Sequence, residues 1–268
     1  YASAFSDLAY DVSILPLSNF LIAMDQGRPL VGIPVFIDFF FPQVAIRVNK
    51  TAGIHNPKDL EGKKVGVRGF GFNPAVWVRG GLADVHGFDF TKVEWKAAEP
   101  NSMSNVDLPT LPGLSLEKGT FDFIADLESG KLDAVMWDRG GVDITDNTAN
   151  LFDDPLAEVQ TYFERNGVFP PNTMLLAKRE VMEANPGLGQ AIVDASDKAQ
   201  SLFFENLSDD VTYMGMPVKW LRERGMMPYR NGVANNHAAL ETVIRYAHEQ
   251  GLISTRPAVE ELFFAGAI

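Results

Sequence analysis

The chain has no cysteine. That removes disulfide frameworks, thiolate metal sites and cysteine nucleophiles together, and leaves the redox compartment open. A surplus of positive charge is missing too. The 23 Lys+Arg stand against 35 Asp+Glu for a formal net charge of −12, the wrong sign for a nucleic-acid or anionic-membrane partner. No apolar run reaches the eighteen or so residues of a membrane span, and the longest, residues 33–41, is broken by Pro34 and Asp38. No basic-then-apolar leader opens the sequence at Tyr1. Neither Gly-Lys-Ser/Thr nor Gly-x-Ser-x-Gly occurs, so the triphosphate loop and the serine-hydrolase elbow are excluded. His237 and His248 are separated by roughly 16 Å of helical rise, His55 and His86 read as surface positions, and no zinc is expected. With nicotinamide and flavin fingerprints absent as well, the expected cofactor set is empty.

What is present fits a sizeable α/β protein. At 268 residues with 46% hydrophobic content, the chain is long enough for two lobes. Residues 11–15 and 30–36 read as buried strands around a helix at 18–25 that Ser18 would cap. Residues 44–48 form a third strand. A second unit follows, with strands at 63–67, 92–97 and 132–136, and helices from Pro74 to about 85 and near 121–129. Residues 99–121 are too rich in Pro, Ser, Asn and Gly for a regular element. A strand at 173–177, helices at 187–206 and 236–250, and a short helix at 257–264 complete the chain. The pattern implies a largely parallel sheet, with one small unit inserted into another. The joining crossings would be residues 44–49 and 172–177. Lobe 1 then comprises 1–53 and 169–268, and lobe 2 comprises 54–168.

The stretch "VGVRGFGFNPAVWVRGG", residues 65–81, reads as strand, glycine-rich turn and helix. Asn73 is a natural N-cap and Pro74 suits the first helical position. A helix start of this kind attracts a carboxylate or phosphate through unpaired N–H groups and the helix dipole. A bare strand-to-helix turn without ligand accounts for the same residues.

"DLEGKKVGV", "AVWVRGGL", "GKLDAV", "NGVFP" and "RYAHEQGL" followed by "AVEELF" occur in this order along the chain. In order and spacing they resemble the 4,5-dihydroxyphthalate decarboxylase family, itself similar to type II periplasmic solute-binding proteins of the aliphatic-sulfonate and thiamine-precursor kind. "AVWVRG" and the C-terminal "YA.EQGL" are the most specific parts. The resemblance implies a two-lobed type II periplasmic-binding-protein-like fold with a central ligand cleft. It also implies a family sequence that begins earlier, with an N-terminal strand and helix that have no counterpart before Tyr1. By the same resemblance Asp11, Ser13, Leu17 and Ser18 match the loop after the family's second strand, Trp77 and Arg79 its helix, and Phe169 and Pro170 its crossing. Departures stand beside these matches. Asp38-Phe39 and Pro42-Gln43 replace Ser-Arg and Arg-His, and Asn172 stands near an expected histidine. Basic and proton-transfer groups are thereby lost, which tells against a dianionic substrate.

Several residues are candidates for the site. Arg68 and Arg139 follow strands at the ends where α/β ligands bind. Arg79 is either a solvated arginine or a ligand contact. Phe36, Phe39, Phe40, Phe41, Phe70 and Phe72 crowd two Gly/Pro-interrupted loops and suit either a core or an aromatic-lined pocket. Asp38 is the single carboxylate in the first of these loops, and is either a proton donor in an apolar pocket or a cap pointing to water. With Ser13, Ser18, Asn73, Trp77 and Asn172, these form the expected binding set. The expected activity is cofactor-free decarboxylation of a small hydroxylated aromatic carboxylate in the cytoplasm. The alternative is a periplasmic or extracellular receptor that delivers such an acid to a transporter permease.

Overall fold

The computed structural model describes residues 7–98, 108–109, 111–137, 142–227 and 230–265. In chain order its elements are β1 (Val12–Pro16), α1 (Leu17–Asp25), β2 (Leu30–Phe39), β3 (Ile46–Asn49), β4 (Lys64–Val67), α2 (Asn73–His86), β5 (Glu94–Ala98) and β6 (Leu116–Gly119). There follow α3 (Phe123–Glu128), β7 (Ala134–Met136), β8 (Thr148–Asn150), α4 (Pro155–Asn166) and β9 (Pro171–Lys178). The remaining helices are α5 (Arg179–Ala184), α6 (Leu188–Glu205), α7 (Val218–Glu223) and α8 (Val233–Glu249).

The chain divides into two compact units. Unit 1 is Tyr1–Phe40, Val168–His248 and Ile253–Ile268, and unit 2 is Phe41–Gly167 with Glu249–Leu252. Unit 2 thus starts at Phe41, where the sequence placed the boundary at residue 54. The reason is β3, which the sequence took as a crossing but which pairs antiparallel with both β7 and β8.

Unit 2 holds a six-stranded sheet in the order β6–β5–β4–β7–β3–β8. Its first four strands are parallel. Gly66 in β4 is required by packing: a Cβ there would lie 2.7 Å from a Phe123 ring carbon and 2.9 Å from a Leu132 methyl. Its bare Cα lets Phe123, on α3, sit directly against the strand. The strand β6 lies inside the stretch read as irregular, since an edge strand can pair through backbone groups whatever its side chains. Helix α4 has plain signals at both ends, with Asp154 accepting from the N–H groups of Leu156 and Ala157 and Gly167 closing it in a left-handed conformation.

Unit 1 departs from the expected parallel sheet. Its three-stranded sheet has the order β1–β9–β2, and β9 runs antiparallel to both neighbours; a separate antiparallel ribbon pairs Thr212–Tyr213 with Met216–Pro217. Residues 173–177 are therefore a central strand here. Pairing of β2 with β9 shifts register between Ile33 and Phe36, and again on either side of Asp38. Pro34 explains the first shift, because a residue without an N–H cannot continue the ladder. Residues outside the sheet then take over the freed backbone groups. Gly232 N–H donates to the Pro34 carbonyl at 2.8 Å. Phe36 N–H donates to Asn231 Oδ1 at 3.0 Å, and Asn231 Nδ2 in turn donates to Asp197 at 2.9 Å.

Asn231→Ala leaves the buried Phe36 N–H without its acceptor. A loss of about 1–3 kcal/mol is expected, read as a lower urea midpoint at unchanged m-value. Asn231→Asp keeps that acceptor but turns a carboxylate oxygen on Asp197, so it should lose stability as well.

Candidate functional site

In unit 1 the end of the bulged strand carries Asp38, and the side chain is buried rather than a cap pointing to water. Opposite it in β9 stands Thr173. Thr173 N–H donates to Asp38 Oδ1 at 2.8 Å, the Thr173 hydroxyl donates to the same oxygen, and Asn172 Nδ2 donates to Oδ2 at 2.9 Å. Both Thr173 donors thus end on Oδ1 and the Asn172 donor on Oδ2. Thr173 carried no sequence signal. Only its register opposite Asp38 brings it in.

Phe36 and Phe39 belong to β2 itself and not to a loop, and both are buried. Their rings lie 6.4 Å apart, and Phe39 meets Phe169 edge-to-face at 4.8 Å. Ser13 pairs with Leu176 in the β1–β9 ladder. Ser18 is buried inside α1 and does not cap it, because the helix starts at Leu17 with Pro16 before it.

In unit 2 the glycine-rich stretch forms a turn in which Phe72 N–H donates to the Gly69 carbonyl at 3.1 Å. The turn feeds directly into α2. Asn73 is the first helical residue and not the cap, and Phe72 holds the cap position with extended backbone. Asn73, Phe72 and Trp77 are all buried. The Arg68 guanidinium lies between two aromatic faces, 5.7 Å from the Phe72 ring centre and 5.6 Å from that of Trp137.

Arg79 is not solvated. It is 0% exposed, and its Nη2 donates to the Phe70 carbonyl at 2.6 Å while Nε donates to Gln250 Oε1 at 2.8 Å. Its guanidinium carbon lies 3.9 Å from the Phe70 ring centre and 5.4 Å from that of Trp95. Burial pushes its pKa down to about 9, which leaves the group cationic at neutral pH. Gln250 Nε2 completes the arrangement by donating to the Val76 carbonyl at 2.9 Å. Gln250 belongs to the "EQGL" motif, so the two most family-specific motifs of the sequence are hydrogen-bonded to each other. Arg139 lies outside the described residues.

The structure thus brings Asp38 together with Asn172 in unit 1, and Arg79 with Phe70 and Arg68 with Phe72 in unit 2. Among the described residues no three His, Asp or Glu side chains gather as a metal ion requires, and no helix is long and apolar enough to cross a membrane.

Residues 8–105 match the family model described as NMT1/THI5 like. The chain is similar to the 4,5-dihydroxyphthalate decarboxylase of Comamonas testosteroni, 27% identical over 99% of this chain and 85% of that protein. It is also similar to the 4,5-dihydroxyphthalate decarboxylase of Pseudomonas putida, 30% identical over 51% of this chain and 55% of that protein. Among solved structures, the periplasmic aliphatic sulphonate binding protein SsuA of Escherichia coli matches with a TM-score of 0.55 at 16% identity, across 98% of this chain and 78% of that one. The alkanesulfonate-binding protein SsuA of Xanthomonas axonopodis pv. citri, bound to MOPS, matches with a TM-score of 0.53 at 14% identity, across 98% of this chain and 83% of that one. The decarboxylase resemblance drawn from the motifs therefore stands, and the fold is the two-lobed α/β fold of periplasmic binding proteins.

Thr173→Val removes the hydroxyl donor to Asp38 while keeping the N–H donor and the side-chain volume. A loss of about 1–3 kcal/mol is expected. In an Asp38→Asn background the same change should cost measurably less, since the two residues share one network. A double-mutant cycle on urea midpoints checks both.

Proposed function

We propose that the chain is a decarboxylase that needs no metal or organic cofactor and acts on a small aromatic carboxylate bearing a hydroxyl ortho or para to the leaving group. The observation that carries this reading is the similarity to 4,5-dihydroxyphthalate decarboxylase across 99% of the chain. The buried Asp38 supplies a residue for the chemistry. Its carboxyl group passes a proton from Oδ2 to the ring carbon that bears the carboxylate, and the ring hydroxyl releases its own proton, so the ring becomes an uncharged dienone that still carries the ionised carboxylate. The C–C bond to the carboxylate then breaks, its electron pair returns to the ring and CO₂ leaves. The oxygen regains a proton and Asp38 is reprotonated from water, so one proton is consumed for each CO₂ released. Asn172 holds Oδ2 in place throughout, and burial removes water that would compete for the proton. Such an enzyme works in the cytoplasm.

The fold favours a second reading, in which the same acid is bound and handed to a transporter permease outside the cytoplasm. It is supported by the likeness to solute-binding proteins and by the loss of the Arg-His pair at Pro42-Gln43.

The deciding assay is CO₂ release from a panel of hydroxybenzoates and hydroxyphthalates, with and without chelator. Turnover should be indifferent to chelator. Asp38→Asn should abolish turnover while affinity stays within a few-fold, the mark of a group that acts in the transition state. The substitution is structurally mild: the amide carbonyl it introduces still accepts from Thr173, and Asn172 can turn its own amide to meet the new NH₂. Binding of several acids without turnover of any would replace the enzyme with the receptor.

A further inference from the structure

A fully buried cation needs a reason. Among the described residues Arg79 faces no carboxylate: burial is the whole cause of its lowered pKa, and Nη1 has no hydrogen-bond partner. Taking an ion out of water without a counter-charge costs several kcal/mol, and a methionine would fill the same volume without that penalty. Two aromatic faces offset part of the cost. The remaining contacts show what the guanidinium does. One arm holds the carbonyl of Phe70, inside the turn that the Phe72 N–H to Gly69 bond closes. Another is held by Gln250, whose amide has a settled orientation because its oxygen faces a donor and its nitrogen faces the Val76 carbonyl. A lysine cannot make both bonds from one planar fork. The positive charge therefore sits, uncompensated and in a low dielectric, beside the turn that opens α2, where the helix dipole already favours an anion.

We propose that Arg79, oriented by Gln250, is a positioning residue for ligand binding. It pins the Phe70 carbonyl and so fixes the Gly69–Phe72 turn, and its uncompensated charge makes that turn prefer a carboxylate to a neutral group. The charge half rests on the aromatic-acid reading above; the pinning half does not.

Two variants separate the halves, each first shown to melt cooperatively. Arg79→Lys keeps the charge and loses the fork, so amide hydrogen exchange in the peptide spanning residues 68–73 should quicken at least tenfold. Gln250→Glu keeps the Arg79–Phe70 bond and neutralises the charge, with loss of the bond to the Val76 carbonyl. Exchange in that peptide should then stay at the wild-type rate, while benzoate binding, followed calorimetrically at low salt, weakens on the order of tenfold and benzamide binding does not change. Unchanged exchange in Arg79→Lys overturns the pin. Equal weakening of benzoate and benzamide in Gln250→Glu overturns the charge effect in favour of a purely structural role. Should Arg79→Lys fail to fold, Gln250→Leu takes its place in the exchange measurement with the same expectation. A wild type that binds neither benzoate nor benzamide overturns the charge half, while the CO₂-release assay decides the proposed function and the exchange result decides the pin.

Discussion

Pro34 has no N–H to give, and the surroundings of Asp38 follow from that. A regular β2 would pair with β9 residue for residue and alternate its side chains between the two faces. The register shift after Ile33 brings Phe36 opposite Met174, and a second shift between Phe36 and Asp38 brings Asp38 opposite Thr173. The shifted backbone keeps its bonds because Asn231 and Gly232, at the lead into α8, accept from Phe36 and donate to Pro34. Without that clamp the bulge would bury unpaired polar groups, each a liability of the same order as the bonds that hold it. Asn231 is tied in turn to Asp197 on α6. The position of one carboxylate is thus set by a missing N–H earlier in its own strand and by an amide from a distant part of the chain.

The two units bury ionisable groups by different means. Asp38 is surrounded by donors that end on its oxygens: one N–H, one hydroxyl and one amide. Among the described residues Arg79 has two carbonyl-type acceptors, two ring faces and one nitrogen with nothing to donate to. Hydrogen bonds to a carboxyl group are short-ranged and largely spent on their partners. A cation solvated by π faces keeps more of its field, since the ring quadrupole offsets it only along one direction. The acid is therefore held by its neighbours, while the arginine still acts on what lies beyond its own.

Much of this was legible in the residues. Pro74 with Gly87 marks helix ends by chemistry that depends only on neighbours along the chain; α4, with Asp154 and Gly167 at its ends, carries the same signals but was not among the expected elements. The direction of β9 was not legible, since a buried strand reads the same whichever way it runs. The burial of Arg79 was hidden for a related reason: at a position of α2 read in isolation it has the character of an exposed residue. It goes inside because the first ten residues of that helix, Asn73–Leu82, are buried on every side. The six crowded phenylalanines were visible in composition, but their fate was decided by pairing, which placed Phe36 and Phe39 in a strand and Phe70 against a guanidinium.

The likeness to solute-binding proteins fixes an architecture and is silent on chemistry, because a fold hosts many functions and only a site performs one. A receptor and a decarboxylase can bind the same acid equally well; they differ in whether any contact strengthens as the C–C bond breaks. An apolar wall does this weakly, by disfavouring the carboxylate relative to CO₂. A proton source does it strongly, since its bond to the ring carbon exists only along the reaction. On the reading proposed above, Asp38 is the residue that would distinguish the two cases. It stands where the resembling family is expected to have a serine, so the group that argues for catalysis here is one the family resemblance does not supply. The enzyme reading therefore rests on the similarity along the chain, and the local chemistry of β2 and β9 supplies the residue proposed to carry it.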